Sequence, residues 1–400
     1  MSRIFITTEF DPFHNGHKYL IDTLKSTYED ASVICGMSGA ITQRGDFPCY
    51  QKYVRAAVSV LAGSDVTVLL PYVYASQGAE MFARGAVMTA AYLRCDKIAF
   101  GATCTDMEKF RLAVNTLKRY ETRMILTSYV SDNVPFPMAR IKALEDMTGE
   151  DFHFLYSPND ILALEYFRAL DSLAQEIEPV IVKRSQADDF DTDSPFISAT
   201  KLRNQLRLGR FEEVKEHIPY ELYNQAAGVE DFFSSAGVHT VEGYKNIFLA
   251  MLIGFNEKQI ELASSCKTST ARRLKTNAFL IRDGVNEYAR QMATKNLTVS
   301  RIRRTLIDAM MGYTKDDANH FIDNYPDYAM ILALSERGRK EVRELKDAGV
   351  NIITKPADGY AQLKGMDKRA FNLDIRAQDM FDIFSRNPQP HLKYTPFVSK

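Results

Sequence analysis

The stretch Thr7-Thr8-Glu9-Phe10-Asp11-Pro12-Phe13-His14-Asn15-Gly16-His17 sets two imidazoles three positions apart, behind an apolar run and ahead of the amphipathic run that begins Lys18-Tyr19-Leu20. That order reads as strand, turn and helix start. Backbone N–H groups at a helix N-terminus attract phosphate, and Gly16 lets a triphosphate approach the main chain without a side chain in the way. Residues three apart on a helix share a face, so His14 and His17 can reach one phosphate group. Nucleotidyl transfer builds charge on the α-phosphate oxygens as pyrophosphate leaves, and donor imidazoles suit its stabilisation. His14 and His17 are therefore the candidate catalytic residues. The structural alternative, a capping histidine beside a packed one, does not account for the turn, the glycine and the position after the first strand together.

Two further groups of residues invite the same question. Ile197-Ser198-Ala199-Thr200-Lys201-Leu202-Arg203 again opens a helix, and Ser198 or Thr200 can bond phosphate while it caps, with Lys201 or Arg203 neutralising charge on the leaving pyrophosphate. Between positions 267 and 304 the cations Arg272, Arg273, Lys275, Arg301, Arg303 and Arg304, with others, face only Asp283 and Glu287. Such a surface can track an RNA backbone; alternatively it is a helix face neutralised by acidic neighbours.

These residues need a frame. Apolar runs at 4–8, 31–35, 66–70, 97–100, 123–127 and 179–183 read as buried strands with helical patterns between most of them. Alternation of this kind predicts an α/β, Rossmann-like domain with a parallel sheet, whose ligands sit beyond the carboxyl ends of the strands. A polar loop is expected over 185–195 and a helix over 198–208. Helical spacing then dominates, over 244–254, 274–292 and 298–311, while apolar runs at 329–334 and 351–354 flank a charged helix over 336–347 and suggest a small α/β element appended to the helices. The expected division is 1–230 for the nucleotide-binding domain and 231–400 for a mainly helical domain.

Four hundred residues favour two domains over one. Five cysteines form no CxxC pair and no Cys/His cluster, which argues against zinc and against a disulfide framework, and fits a reducing cytoplasm. The sequence carries neither a signal-peptide pattern nor an apolar run of membrane-spanning length. A net charge of −1 makes no global case for nucleic acid, so any such case is local.

Taken in order, the histidine motif and the later blocks Met37-Ser38-Gly39, Gln43-Arg44-Gly45-Asp46, Ala79-Glu80-Met81-Phe82-Ala83-Arg84-Gly85, Phe100-Gly101, Ser157-Pro158-Asn159-Asp160, Lys183-Arg184, Ile197-Ser198-Ala199-Thr200 and Leu373-Asp374-Ile375-Arg376-Ala377 resemble the tRNA(Met) cytidine acetate ligases of the HxGH nucleotidyltransferase superfamily. The resemblance spans nearly the whole chain. It implies that acetate attacks the ATP α-phosphate to give acetyl-adenylate, and that the acetyl group passes to the exocyclic amine of the wobble cytidine of elongator tRNA(Met). It implies ATP contacts from Thr7, Thr8, Glu9, Phe10, Asp11, Pro12, Phe13, His14, Asn15, Gly16, His17, Lys18, Tyr19 and Leu20, and from Gly101, Asn159 and Arg184. Mg2+ is expected to bridge the phosphates, with no metal ligand assigned and the oligomeric state left open. Arg44 can face acetate, the adenylate or the tRNA. Ala102-Thr103 stands where the family has Ser-Glu, and the helical blocks match loosely. Two other readings stay open: a nucleotidyltransferase acting on a phosphorylated metabolite, and a non-catalytic nucleotide- or RNA-binding paralogue.

Overall fold

Alternation along the first strand decides how the sheet is buried. In β1 (Arg3–Thr8) Ile4 and Ile6 point to one face and Phe5 to the other, and all three are fully buried. The computed structural model describes residues 2–184, 197–385 and 394–399, so the polar loop expected over 185–195 lies outside the described residues. The remaining strands are β2 (Ser32–Ser38), β3 (Val66–Leu70), β4 (Lys97–Ala102), β5 (Glu178–Lys183), β6 (Ala329–Leu334), β7 (Ile352–Ile353) and β8 (Phe397–Val398). They form one sheet in the order β5-β4-β1-β2-β3-β6-β7, with β8 paired to β6. The strands β1 to β5 are mutually parallel, and β6 runs antiparallel to β3.

From β1 the chain steps outward through β2 to β3, then returns to the other side of β1 for β4 and β5. Connections therefore diverge at β1 and β4, and the crevice beyond their carboxyl ends is where such a sheet receives ligands. The histidine motif leaves β1 there and Gly101 lies near the end of β4. The helix Asn15–Thr27 presents Ile21 and Leu24 to the core.

Three expectations are corrected. Residues 123–127 are not a strand but lie within the helix Tyr120–Ser131, whose Met124 is 55% exposed. A short apolar run is ambiguous between strand and helix, and the place beside β4 goes to β5. Residues 329–334 and 351–354 do not build an appended element, because β6 joins the main sheet and carries β7 with it. The sheet thus takes strands from both sides of residue 230. The helix expected over 274–292 is three pieces, Thr268–Thr276, a 3-10 turn Ala278–Asp283 and Val285–Met292, broken at Gly284 with φ of 125°.

The two sheet faces bury separate cores. One contains Phe5, Ile34, Val66, Ile98 and the helices flanking β4. The other runs continuously from Ile4, Ile6 and Val33 through Phe47 to Tyr244, Ile302 and Leu306, so the helical half is packed onto the face that carries the histidine helix. No helix among the described residues is long and apolar enough to cross a membrane.

Candidate functional site

The two histidines are locked by the backbone they cap. His14 is the N-cap of the helix Asn15–Thr27, and its Nδ1 accepts from the Gly16 N–H at 3.1 Å. His17 Nδ1 accepts from the His14 N–H at 3.2 Å, closing a reciprocal capping box. Each Nδ1 is thus an acceptor, which leaves the proton on Nε2 of both rings. The rings stack with centroids 3.8 Å apart. Burial pushes His14 down to about 3, with the nearby Arg184 and Arg203 guanidiniums adding to the effect, and burial likewise drives His17 well below its ordinary value. Both imidazoles are neutral Nε2–H donors near pH 7.

Gly16 answers to this geometry more than to ligand approach. A Cβ there would lie 2.9 Å from His14 Cε1, so the glycine makes room for the ring. Phe10 is fully buried and sits at φ of 48°, with its ring edge-on to His17 at 5.0 Å. A bulky residue in the left-handed region costs about 1 kcal/mol, and packing against Phe13 and His17 holds it.

The rings face a cleft of about 560 Å3, lined by Thr7 and Thr8 of β1 and Glu9, Phe10 and Asp11 of the turn after it, from the helix by Gly16, Tyr19 and Leu20, and across the sheet by Gly101, Asn159 and Arg184. Arg184 Nη1 donates to Asn159 Oδ1 at 3.1 Å, joining two residues 25 apart in sequence. A Cβ at Gly101 would meet Arg184 Cδ and the Val182 carbonyl at 3.9 Å, ordinary contacts, so this glycine leaves space open to the cleft. Ser198 and Thr200 also line it, at the start of the helix Ala199–Arg207, where Ser198 Oγ accepts from the Lys201 N–H at 3.3 Å and Arg203 donates to Thr200 Oγ1 at 3.1 Å. Thr8 Oγ1 is buried at the edge of the cleft and meets no hydrogen-bond partner among the described residues.

Not every residue of the N-terminal stretch reaches this cleft. Phe13 is in the core with its backbone N–H donating to the Tyr223 hydroxyl at 2.7 Å, Pro12 is buried behind it, Asn15 donates to the Glu216 carbonyl at 2.9 Å, and Lys18 pairs with Asp22 at 2.8 Å. Three positioning residues were not singled out in the sequence, although Asp160 lies within one of the blocks that carry the resemblance. Arg55 is fully buried and donates to the Tyr50 carbonyl at 2.8 Å, the Ser38 carbonyl at 3.2 Å, and the carbonyls of Glu9 and Gly39, clamping the exits of β1 and β2. Asp160 accepts from the Thr103 N–H at 3.1 Å, the Thr103 hydroxyl at 2.6 Å and the Cys104 N–H at 2.8 Å, fixing the loop after β4 to the helix that bears Asn159. Tyr223 holds the main chain of Phe13. A lone buried arginine or tyrosine looks in sequence like any other.

The loop around Gln43-Arg44-Gly45-Asp46 bridges the cleft and the helical half. The Gln43 N–H donates to Glu9 Oε1 at 2.7 Å, while Arg304 donates to the Gln43 carbonyl at 2.9 Å. Gly45 is left-handed at φ of 67° and a Cβ there would lie 2.8 Å from Arg304 N, so only glycine fits. Asp46 accepts from Arg207 at 3.0 Å and from the Val241 N–H at 2.7 Å.

That bridge bears on the basic segment, which is not one exposed stripe. Lys275 donates to the carbonyls of Leu252 at 3.0 Å and Ile253 at 3.2 Å, and to that of Phe255. Arg301 donates to the Ser265 carbonyl at 3.1 Å, Arg303 to Asn286 Oδ1 at 2.8 Å, and Arg304 to Gln43. Of the six cations singled out, Arg272 is the exposed one and pairs with Glu257 at 3.3 Å, while Arg273 beside it is half-buried and donates to the Gln291 carbonyl at 3.1 Å. The sequence shows the charge but not the carbonyls that take it up.

A profile of the HIGH Nucleotidyl Transferase family matches residues 1–394. A tRNA(Met) cytidine acetate ligase from Thermoanaerobacter sp. is 28% identical over 396 residues, covering 97% of this chain and 96% of its own, and one from Oceanobacillus iheyensis is 26% identical over 91% of this chain and 92% of its own. Among solved structures, the apo crystal structure of Thermotoga maritima TmcAL superimposes with a TM-score of 0.89 at 25% identity, covering 100% of this chain and 99% of that one.

Proposed function

Because the chain belongs to the HIGH Nucleotidyl Transferase family, we propose that it is an ATP-dependent ligase that activates acetate as acetyl-adenylate and transfers the acetyl group to N4 of the wobble cytidine of elongator tRNA(Met). The names of its relatives support the substrate pair. The observation that carries the reading is the pair of neutral Nε2–H donors fixed at a helix start inside a cleft, opposite the Arg184–Asn159 pair.

In this reading ATP lies across the carboxyl ends of β1 and β4. His14 and His17 donate to the α-phosphate oxygens as charge develops on them, and need no reorganisation because backbone N–H groups hold both rings. Arg184 and the start of the helix Ala199–Arg207 take the leaving pyrophosphate. Gly101 leaves the space a ribose or base requires. The apolar core behind the histidines keeps them uncharged.

Among the described residues the one group of three metal-ligating side chains within reach of each other is Glu145, Asp151 and His153, outside the cleft. Asp11 Oδ1 already accepts from the Cys49 N–H at 2.7 Å and Glu9 Oε1 from Gln43. Among the described residues no group of metal-ligating side chains lines the cleft, and Mg2+ is expected on the ATP phosphates.

The test is acetate-dependent exchange of labelled pyrophosphate into ATP, followed by addition of tRNA and analysis for acetylcytidine. Exchange that requires acetate and acetylcytidine on tRNA are the expected results. Exchange only with a phosphorylated metabolite, or ATP binding with no exchange, overturns the proposal.

A further inference from the structure

The second half of the proposed reaction needs a proton acceptor, and the histidines do not supply one. Both Nδ1 atoms are occupied by backbone N–H groups and both Nε2 atoms carry protons. Asp11 is buried, with one oxygen on the Cys49 N–H and the other 3.8 Å from Arg203. Glu9 is the other acid lining the cleft. Its Oε1 accepts from the Gln43 N–H at 2.7 Å, and its Oε2 takes no hydrogen bond from any described residue. Burial raises its proton affinity, with Asp11 reinforcing and the Gln43 N–H, Arg203 and Arg44 opposing.

Its position also reaches beyond the phosphate side of the cleft. Glu9 shares Arg203 with His14 but faces Asp11 and Arg44 rather than Arg184, with the Tyr166 hydroxyl nearby. The loop that orients Glu9 through Gln43 is anchored by Arg304 on the helix Val299–Met311. Glu9 therefore lies on the side of the cleft that turns towards the helical half.

Building on the ligase reading above, we propose that Glu9 receives the exocyclic amine of the acceptor base and takes its proton as the acetyl group transfers. A carboxylate accepting from N4–H is the usual side-chain pairing for cytosine and excludes uracil, which has no exocyclic amine, and a base presented this way has to leave its stack. The N4 lone pair attacks the acetyl carbon of the adenylate and an N–C bond forms. The bond from that carbon to the phosphate oxygen breaks, AMP leaves with the electron pair, and the nitrogen's proton moves to Glu9 Oε2. Gln43 keeps the other carboxylate oxygen fixed, so the open one has a single orientation.

The experiment uses the full chain with Glu9→Gln, which can still accept from the Gln43 N–H, and Glu9→Asp as a second variant that keeps a carboxylate. Acetate-dependent pyrophosphate exchange reads the first step, and single-turnover acetylation of tRNA from preformed acetyl-adenylate reads the second across pH. Loss of a general base costs on the order of 10²–10⁴-fold, so transfer in Glu9→Gln is expected to fall by that factor and by more than exchange does. Glu9→Asp is expected to lie between. In the unsubstituted protein the transfer rate is expected to rise with pH through the Glu9 ionisation and then level, an inflection that Glu9→Gln removes. Normal transfer in folded Glu9→Gln, an equal loss in both steps, or an unchanged pH profile overturns the assignment alone. Absence of acetate-dependent exchange in the unsubstituted protein overturns the ligase reading and this inference with it.

Discussion

The histidine motif and the basic segment both read as functional in sequence, yet the fold treats them in opposite ways. At the start of the helix Asn15–Thr27, side chains three apart meet in one stacked pair and their free nitrogens face a cleft. In the helical half, five of six cations donate to carbonyls or an amide oxygen, and Arg304 becomes a strut between the helix Val299–Met311 and the cleft loop. A motif whose chemistry depends on local spacing survives folding, because a helix start fixes the geometry within a turn. A charge count does not, because partners that consume the charge lie far away in sequence.

Substitutions should separate the two regions, and the largest effect is expected at the histidines. His17→Ala should lower pyrophosphate exchange by on the order of 10²–10³-fold, with a stability loss of about 1 kcal/mol from the broken capping box. Turnover retained in a folded His17→Ala would remove the site assignment. Next comes a pair of glycine substitutions. Gly16→Ala forces the His14 ring aside, and a shift of about 1 Å in a reacting group costs on the order of 10²-fold. Gly101→Ala meets only ordinary contacts in the empty cleft, so thermal stability should hold while ATP affinity weakens; unchanged ATP affinity would place the nucleotide elsewhere.

In the basic region the signs should be reversed. Arg304→Ala is expected to destabilise by roughly 2 kcal/mol, since it removes a charged hydrogen bond and a buried cation beside Asp308. Arg272→Ala should leave stability alone and, if this face meets RNA, reduce the salt slope of RNA binding by about one. A slope that does not change would assign the whole segment to structure.

The smallest expected effect is in pH. Folding disfavours protonated His14, so below its ordinary 6.5 the unfolded chain binds the extra proton and stability falls as pH drops towards 3. Between pH 6.5 and about 5.5 the loss should be about 1 kcal/mol for His14. Denaturation at several pH values measures it, and an NMR titration of His14 through pH 6.5 should be flat.

What the sequence determined by itself were the parts set within a few residues. Apolar runs bounded by polar turns gave β1 to β5, the helix start after β1 followed from His14-Asn15-Gly16-His17, and a cap at Ser198 or Thr200 was legible, the fold using Ser198, because a cap bonds three residues ahead. The run at 123–127 misled because its side chains satisfy helix and strand equally, and only competition for the place beside β4 decides. Tertiary structure alone decided that β6 closes onto β3, that Arg55 clamps two strand exits, that Arg184 meets Asn159, and that Glu9 is tied through Gln43 to Arg304. Each of those joins groups distant in sequence, and local propensity carries no information about which carbonyl or carboxylate a buried cation will find.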